Sequence, residues 1–185
     1  MSKLTANKIL EEIKAGNLNI EPFNLNQLNP NSYNVKLSNT LKMYDEYELD
    51  AKLPNPSHEL IIPPEGLVLQ PNILYIGCTQ EIISSDKYIS AIDGRSSIGR
   101  LGISIHATAG FGDIGFTGTY TLEIFVIQPV RIYPDLEIGQ VYFEEACGES
   151  DFLYHGRYQG QIEPTTSKLY LNNSELSEDY FYKEK

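Results

Sequence analysis

The sequence predicts a mainly β fold of the sandwich, barrel or jelly-roll type, preceded by one short helix. Two observations carry this expectation. Between residues 67 and 145 short runs rich in β-branched and aromatic residues follow in quick succession: "LVLQ", "ILYIGC", "YISAI", "GISIHATA", "TYTLEIFVI", "VRIY" and "QVYFEE". Gly, Pro, Asn and Asp punctuate them, as turns punctuate closely spaced strands. Helical spacing, by contrast, stands out near the N-terminus, and no internal repeat is evident. At 185 residues the chain falls within the usual span of one domain, about 100 to 200 residues, so one domain over residues 1–185 is expected.

Taken in order, Thr5 can cap a helix that carries Ile9, Leu10 and Ile13 and stops near Gly16, a residue type suited to a helix C-terminus. "NPNSYNVKL" then places a turn at Asn29-Pro30 and alternates through Tyr33, Val35 and Leu37, the period of a half-buried strand. Residues 45–66 are acidic and then Pro-rich, with Pro54, Pro56, Pro63 and Pro64, and read as a surface excursion that ends in the turn "PPEG". The strand-like series follows. Residues 148–185 lose that pattern: "YHGRYQGQIEPTTSKLY" and the acidic "NNSELSEDYFYKEK" are polar and Tyr-rich, a tail expected to be mobile unless something holds it down.

Composition excludes several classes of function. The formal charge of −11 argues against a general nucleic-acid binder, whose affinity rests on many Lys and Arg contacts to phosphate. No run of about 18 apolar residues is present and the start "MSKLTANKIL" lacks an apolar signal core, so a soluble cytoplasmic protein without a membrane partner is expected. Cys78 and Cys147 lie outside any C-x-x-C spacing and are expected to be buried thiols. His58, His106 and His155 show no ligand spacing, and the H-x-E with P-C-x-x-C pattern of zinc deaminases is absent, so no zinc site is expected.

Against this acidic background, "DGRSSIGRLG" concentrates positive potential: from Gly94 to Gly112 there are two arginines and no acidic residue. The spacing Gly94-x-x-x-x-Gly99-Arg100 approaches a P-loop, but Arg100 stands where Lys is needed and Leu101 where Ser or Thr is needed. A helix should also follow, whereas "LGISIHA" alternates like a strand. What remains is a local anion cradle, Arg95 and Arg100 offering charge-assisted hydrogen bonds while Ser96 and Ser97 complete it, or else a solvated surface turn. A Ser-His-Asp hydrolase built from Ser96, His106 and Asp113 lacks the G-x-S-x-G elbow. Glu123 is the second unusual residue. In "TYTLEIFVI" Tyr120, Leu122, Ile124 and Val126 form one apolar face while Thr121, Glu123 and Phe125 point the other way. A carboxylate among strong strand formers is either solvent-facing or a general base in a partly apolar pocket.

Taken together, "DGRSSIGRLG", "HATAGFGDIGF", "GTYTLEI", "IGQVYFEE" and "GRYQGQIEPTTSKLY", with "NPNSYNVKL" near the start, resemble the dCTP deaminase family, relatives of the trimeric dUTPases. "TLE" after the "GFTG" turn is the deaminase mark and makes Glu123 the leading catalytic candidate. The resemblance implies a dUTPase-like distorted β-barrel or jelly roll assembled as a homotrimer, with active sites between subunits and Mg²⁺ held on the triphosphate of the substrate dCTP. It places Arg95, Ser96, Ser97, Ile98, Gly99 and Arg100 at the nucleotide, Ser96 and Arg100 assisting Glu123 at the base. Asp113 faces the deoxyribose or base, the Thr121 and Leu122 backbone reads the pyrimidine edge, and Gln140, Tyr154, Arg157 and Gln161 contact the phosphates, the tail closing over them. dTTP is implied as a feedback ligand.

The implied reaction is metal-free hydrolytic deamination at C4 of cytosine, giving dUTP and ammonia on the way to dUMP for dTTP synthesis. In one subgroup the product is instead dUMP with pyrophosphate, and "TAGF" plus "YQGQ…PT" resemble that subgroup. A dUTP pyrophosphatase and a non-catalytic nucleotide-binding regulator are the rival classes. Three departures from the family pattern stand out: Gly112-Asp113-Ile114-Gly115 replaces the usual Ile-Asp-Pro-Gly and predicts a looser loop around Asp113; Arg157 replaces Lys; and Glu163 replaces a common glycine in the proposed lid.

Overall fold

The computed structural model describes residues 2–148 and 151–173. Helix α1, Ala6–Lys14, begins after an extended Thr5 whose carbonyl accepts the Ile9 N–H at 2.9 Å, although the threonine hydroxyl makes no capping bond. At the other end Gly16 takes φ +78°. This lets Gly16 N–H reach the Ile13 carbonyl (3.1 Å) and Asn17 N–H the Glu12 carbonyl (3.0 Å), closing off the last carbonyls as a Schellman turn does. Ile9 is fully buried, whereas Leu10 and Ile13 are only partly covered. Glu12 is buried beside Lys8 at 2.8 Å, Asn17 at 2.7 Å and Lys87 at 3.2 Å. Those donors, Lys8 first, hold its carboxyl at about 2.

Strand β1 (Asn19–Glu21), a 3-10 turn (Leu25–Gln27) and β2 (Leu28–Asn29) lead into β3 (Ser32–Lys36), β4 (Thr40–Tyr44) and β5 (Ser57–Ile61). Next come β6 (Leu67–Leu69), β7 (Tyr75–Ser84), β8 (Tyr88–Gly94) and the one-turn helix α2 (Ser96–Gly99). Then follow β9 (Ile103–Ser104), β10 (Phe111–Gly112), β11 (Thr117–Val126), β12 (Val130–Ile132), β13 (Glu137–Glu145) and a second 3-10 turn, Leu169–Asn173.

One sheet runs β5-β4-β7-β11-β9 with β1 also on β7, the other β10-β8-β13-β3-β2, and β6 and β12 form a separate ribbon. Every strand pair is antiparallel. The inward faces of both sheets meet in one core that includes Tyr33, Val35, Ile83, Leu122, Ile124, Val141 and Phe143. Each of the larger of these side chains contributes about 1.5–3 kcal/mol by leaving water.

Several elements depart from the sequence expectation. The Pro-rich excursion contains β5, an exposed edge strand paired with β4. Strand β3 is buried on both faces: Asn34 and Ser32 on the second face are covered but hydrogen-bonded, to Glu137 (2.9 Å) and Gln140 (3.0 Å). β7 runs on through the polar Thr79, Gln80 and Glu81, where the pairing with β11 shifts register. Glu81 is buried there, accepting from Gln27 Nε2 (2.7 Å) and Lys36 N–H (2.9 Å), and burial pushes its carboxyl up.

The expected strand "GISIHATA" survives only as β9. After Ser104 the chain leaves the sheet, and by Gly110 it lies against β8: the Ile92 N–H bonds the Gly110 carbonyl at 2.7 Å and a Cβ on Gly110 would lie 2.6 Å from the Ile92 carbonyl. Cys78 is buried as expected, while Cys147 is exposed. No helix among the described residues is long and apolar enough to cross a membrane.

Candidate active site

Alternation along β11 decides which groups are available at its free edge. The Tyr120 N–H turns toward β7 and bonds Thr79 Oγ1 at 3.0 Å, while the Thr119 N–H turns away and bonds the Gln161 carbonyl at 2.9 Å. Thr121 therefore presents its backbone to the edge away from β7, between the tail at Thr119 and β9 at Phe125. Leu122 by the same alternation turns its backbone toward the β7 pairing, opposite Gly77. The side chains alternate as expected: Tyr120, Leu122, Ile124 and Val126 are buried, Thr121 and Glu123 partly covered, Phe125 exposed.

Among the described residues no strand pairs with this edge between Thr119 and Phe125. Glu123 Oε2 accepts the Ala107 N–H at 3.3 Å, which ties the carboxylate to the loop that follows β9. Among the described residues three buried polar atoms have no hydrogen-bond partner: Thr121 Oγ1 two positions before Glu123 on β11, Gln161 Oε1 in the tail and His106 Nδ1 next to Ala107 in sequence. Buried orphans are rare in native folds and mark places where a ligand or water completes the bonding. His106 has its other nitrogen 3.7 Å from Asp93, not near Asp113, so the Ser96-His106-Asp113 arrangement is not assembled.

"DGRSSIGRLG" folds as the end of β8, the turn α2 and the reversal into β9. The one-turn helix is the piece that strand alternation did not foretell. Ser96, Ser97, Gly99 and Arg100 are exposed and Ile98 is buried beneath them as the anchor. Arg95 is partly buried, with Nη1 2.9 Å from Glu137 Oε2 and 3.0 Å from the Glu137 carbonyl. Among the described residues, no hydrogen bond or ion pair joins Ser96 or Arg100 to Glu123 within the chain. Gln140 lies next to this turn on β13, accepting from Ser32 at 3.0 Å and donating to the Gly94 carbonyl at 3.4 Å.

The loop carrying Asp113 is taut, contrary to the expectation drawn from its altered sequence. A Cβ on Gly112 would lie 2.0 Å from Tyr120 Oη and 2.8 Å from Ser90 Oγ, two hydroxyls that hydrogen-bond each other beneath it. Burial pushes the Tyr120 phenol up to about 12, which keeps it protonated. Beyond Asp113 the turn closes through Phe116 N–H to the Asp113 carbonyl (3.2 Å), and Gly115 N–H bonds Ser85 (2.8 Å). Gly115 holds φ +88°, and Asp113 itself is exposed.

The tail is held down by its own chain. Tyr154 N–H bonds the Ile114 carbonyl and Gly160 N–H the Thr117 carbonyl, both at 2.8 Å, and Gln161 Nε2 bonds the Thr119 carbonyl at 2.8 Å. Glycines make this approach fit: a Cβ at Gly115 would meet Leu153 at 2.7 Å, and one at Gly118 the Gln161 carbonyl at 2.7 Å. Tyr154 Oη accepts the Tyr158 N–H (3.3 Å), and the Arg157 guanidinium binds the Lys168 carbonyl (2.7 Å) and Asn172 Oδ1. Glu163, the acidic departure, lines a cavity of about 280 Å³ with Lys42 and Lys168 between the tail and the β4–β5 loop. Most of the acidic terminal stretch, residues 174–185, lies outside the described residues.

A two-sheet β fold with a carboxylate, Glu123, on an edge of β11 left without a strand partner is the architecture here. It resembles the crystal structure of 2'-deoxycytidine 5'-triphosphate deaminase from Agrobacterium tumefaciens, with TM-score 0.62 at 20% identity, covering 78% of this chain and 48% of that one. This chain thus spans about half the length of that neighbour. The family model described as dCTP deaminase-like matches residues 3–146, and the chain belongs to that family.

Similar curated proteins include one named "dCTP deaminase, dUMP-forming" from Clostridium acetobutylicum, 54% identical over 151 residues, covering 82% of this chain and 87% of the relative. Another of that name, from Leptospira biflexa, is 44% identical over 167 residues, covering 90% of this chain and 95% of the relative.

Sequence reasoning missed Glu137 and Asn34 behind Arg95, and Tyr120 with Ser90 beneath Gly112. None of these pairings leaves a local signal. The GFTG turn was visible, but the meaning of its glycine appears only once the tail lies across it. Among the described residues no group of three or more His, Cys, Asp or Glu side chains is placed to hold a metal ion.

Proposed function

We propose that this chain is a hydrolase of the cyclic amidine C–N bond of dCTP, and that it carries the product on to dUMP and pyrophosphate. The observation that carries the reading is Glu123, half-buried at the free edge of β11, beside the unpartnered Thr121 hydroxyl and bonded to the Ala107 N–H. Family membership and the names of the relatives support the substrate, and those names favour dUMP over free dUTP as the product.

In the first step Glu123 takes a proton from water as the oxygen attacks C4 of cytosine. Glu123 passes that proton to the ring nitrogen N3, then takes the remaining proton from the C4 hydroxyl and gives it to the amine; C4=O forms as the C4–N4 bond breaks and ammonia leaves. Thr121 and its backbone would bind the base edge, and Ser96 and Arg100 would orient water and base. A second water then cleaves the α–β phosphoanhydride of dUTP. Arg95, Ser97 and Gln140 would hold the triphosphate, with Tyr154, Arg157 and Gln161 reached from the tail. Mg²⁺ would arrive on the triphosphate oxygens and supply charge neutralisation there.

Because Ser96 and Arg100 stand apart from Glu123 within one chain, the reading requires a second copy to bring them in, as in a homotrimer. Exposed Leu101, Phe125 and Ile127 support such an interface; Ile127 N–H bonds the Gly102 carbonyl at 3.0 Å, which brings the three onto one patch. A cytoplasmic setting and dTTP feedback belong to the same proposal. The test is incubation with dCTP and Mg²⁺ followed by chromatography, with light scattering for the oligomer. dUMP, pyrophosphate and ammonia from a trimer are expected. Free dUTP overturns the second step, activity on dUTP alone overturns the deaminase reading, and no product at all points to a binding regulator.

A further inference from the structure

Resting on the deaminase reading of Arg95 as a phosphate ligand, we infer that Glu137 is a positioning residue for substrate binding and that Asn34 in turn fixes Glu137. Arg95 follows directly on β8 and stands before an exposed one-turn helix, a place where a long side chain would ordinarily sample many rotamers. Here its Nη1 is held twice by one residue, by the Glu137 carboxylate at 2.9 Å and by the Glu137 carbonyl at 3.0 Å. Both side chains are about two-thirds buried, with 31% exposure each, so the pair is less screened than a surface ion pair.

The carboxylate is itself fixed: Asn34 Nδ2 donates to the same Oε2 at 2.9 Å, and Asn34 Oδ1 accepts from Asn29 Nδ2 at 2.7 Å. Asn34 is buried, on a strand paired with β13. Glu137 precedes the point where β13 shifts register against β3, which sets it where Arg95 can reach it.

The consequence is chemical. A guanidinium has five donors in a rigid fork. With Nη1 clamped to Glu137, Nη2 and Nε remain on a fork of fixed orientation. An anion arriving at α2 then meets two aligned donors without first ordering a flexible side chain, a saving that appears in affinity. The N-terminal "NPNSYNVKL" hairpin thereby acts on the nucleotide turn some sixty residues later through Asn34 and Glu137. The opposing view, that Glu137 neutralises Arg95 and competes with phosphate, predicts the opposite sign.

Steady-state kinetics with dCTP and Mg²⁺ on the full chain decides, using Glu137→Ala, Glu137→Gln, Arg95→Ala and the Glu137→Ala/Arg95→Ala double variant. KM for dCTP should rise about ten-fold in Glu137→Ala, the scale of one charge-assisted hydrogen bond, with kcat within about two-fold. Glu137→Gln, isosteric and still able to accept from Nη1, should fall between and serves if the alanine variant fails to fold. Glu137→Ala should add nothing further to KM in the Arg95→Ala background, as a residue acting through Arg95 must. An unchanged or lowered KM in Glu137→Ala and Glu137→Gln, or full additivity in the double variant, overturns the inference. Wild-type turnover of dCTP tests the functional reading separately. If there is none, that reading falls and the same cycle read by calorimetric dCTP binding decides the role of Glu137 alone.

Discussion

Gly112→Ala is the sharpest test of the account given for the Asp113 loop. The added methyl would sit 2.0 Å from Tyr120 Oη and 2.8 Å from Ser90 Oγ, both well inside contact distance. Neither neighbour yields easily, since Tyr120 and Ser90 are buried and hydrogen-bonded to each other. Overpacking of this kind costs about 1–3 kcal/mol and more where nothing can move, so a loss of at least about 2 kcal/mol is expected. Tyr120→Phe alone should cost about 1–2 kcal/mol by leaving the Ser90 hydroxyl unpaired. In the double variant the phenolic oxygen is gone and the nearest atoms to the new methyl are Ser90 Oγ at 2.8 Å and the ring carbon at 2.9 Å. The double variant should therefore be about 1 kcal/mol or more better than the sum of the singles, a coupling that urea denaturation resolves. It corresponds to roughly 2–4 °C in a chain of this size. Additive costs, or a harmless Gly112→Ala, would refute the claim that these hydroxyls occupy the space of a side chain at 112.

Other expectations follow from the same geometry. Gly118→Ala, which drives a methyl to 2.7 Å from the Gln161 carbonyl, should release the tail. Limited proteolysis within residues 155–165 should quicken while the core stays folded, and unchanged cleavage would mean the tail is held elsewhere. Burial raises the Glu81 carboxyl, so its contribution to stability is full below its unfolded value and is lost as pH rises through the folded one. Wild type should thus gain stability relative to Glu81→Gln as pH falls from neutral towards the ordinary carboxylate value of 4.5 in urea titrations; a wild-type stability that stays constant or falls relative to the variant contradicts this. Glu12 has the opposite sign: its carboxyl is lowered to about 2 from 4.5. Glu12→Gln should therefore destabilise at neutral pH, and the difference should fade as pH falls from 4.5 towards 2.

Much of the fold was legible because strand alternation is a local signal. The inward face of β11 was readable from Tyr120, Leu122, Ile124 and Val126 alone, and helix α1 ended at Gly16 for the reason its sequence suggested. What escaped was set by distant partners. Strand β5 hides in a Pro-rich stretch because only Leu60 turns partly into the core while Ile61 faces solvent, and its pairing with β4 makes it a strand. The α2 turn was invisible because Ser96–Gly99 has no amphipathic period long enough to read. Glu123 and the arginine-serine stretch were legible as unusual residues in an otherwise ordinary strand and turn. The clamp on Arg95 was not, since Glu137 lies 42 positions away. Nor was the docking of the tail, whose polar composition pointed to solvent while its backbone groups pair with Thr117 and Thr119.

The central claim, that Glu123 at the open edge of β11 is the base of a metal-free deamination, is tested most directly by turnover and binding of dCTP in Glu123→Gln. Glutamine keeps the shape and an acceptor for the Ala107 N–H but takes no proton. Ammonia release should fall by about 10²–10⁴-fold while calorimetric dCTP affinity and the oligomeric state stay near those of the wild type. Turnover within about ten-fold of wild type, well short of what loss of a general base costs, would contradict the assignment.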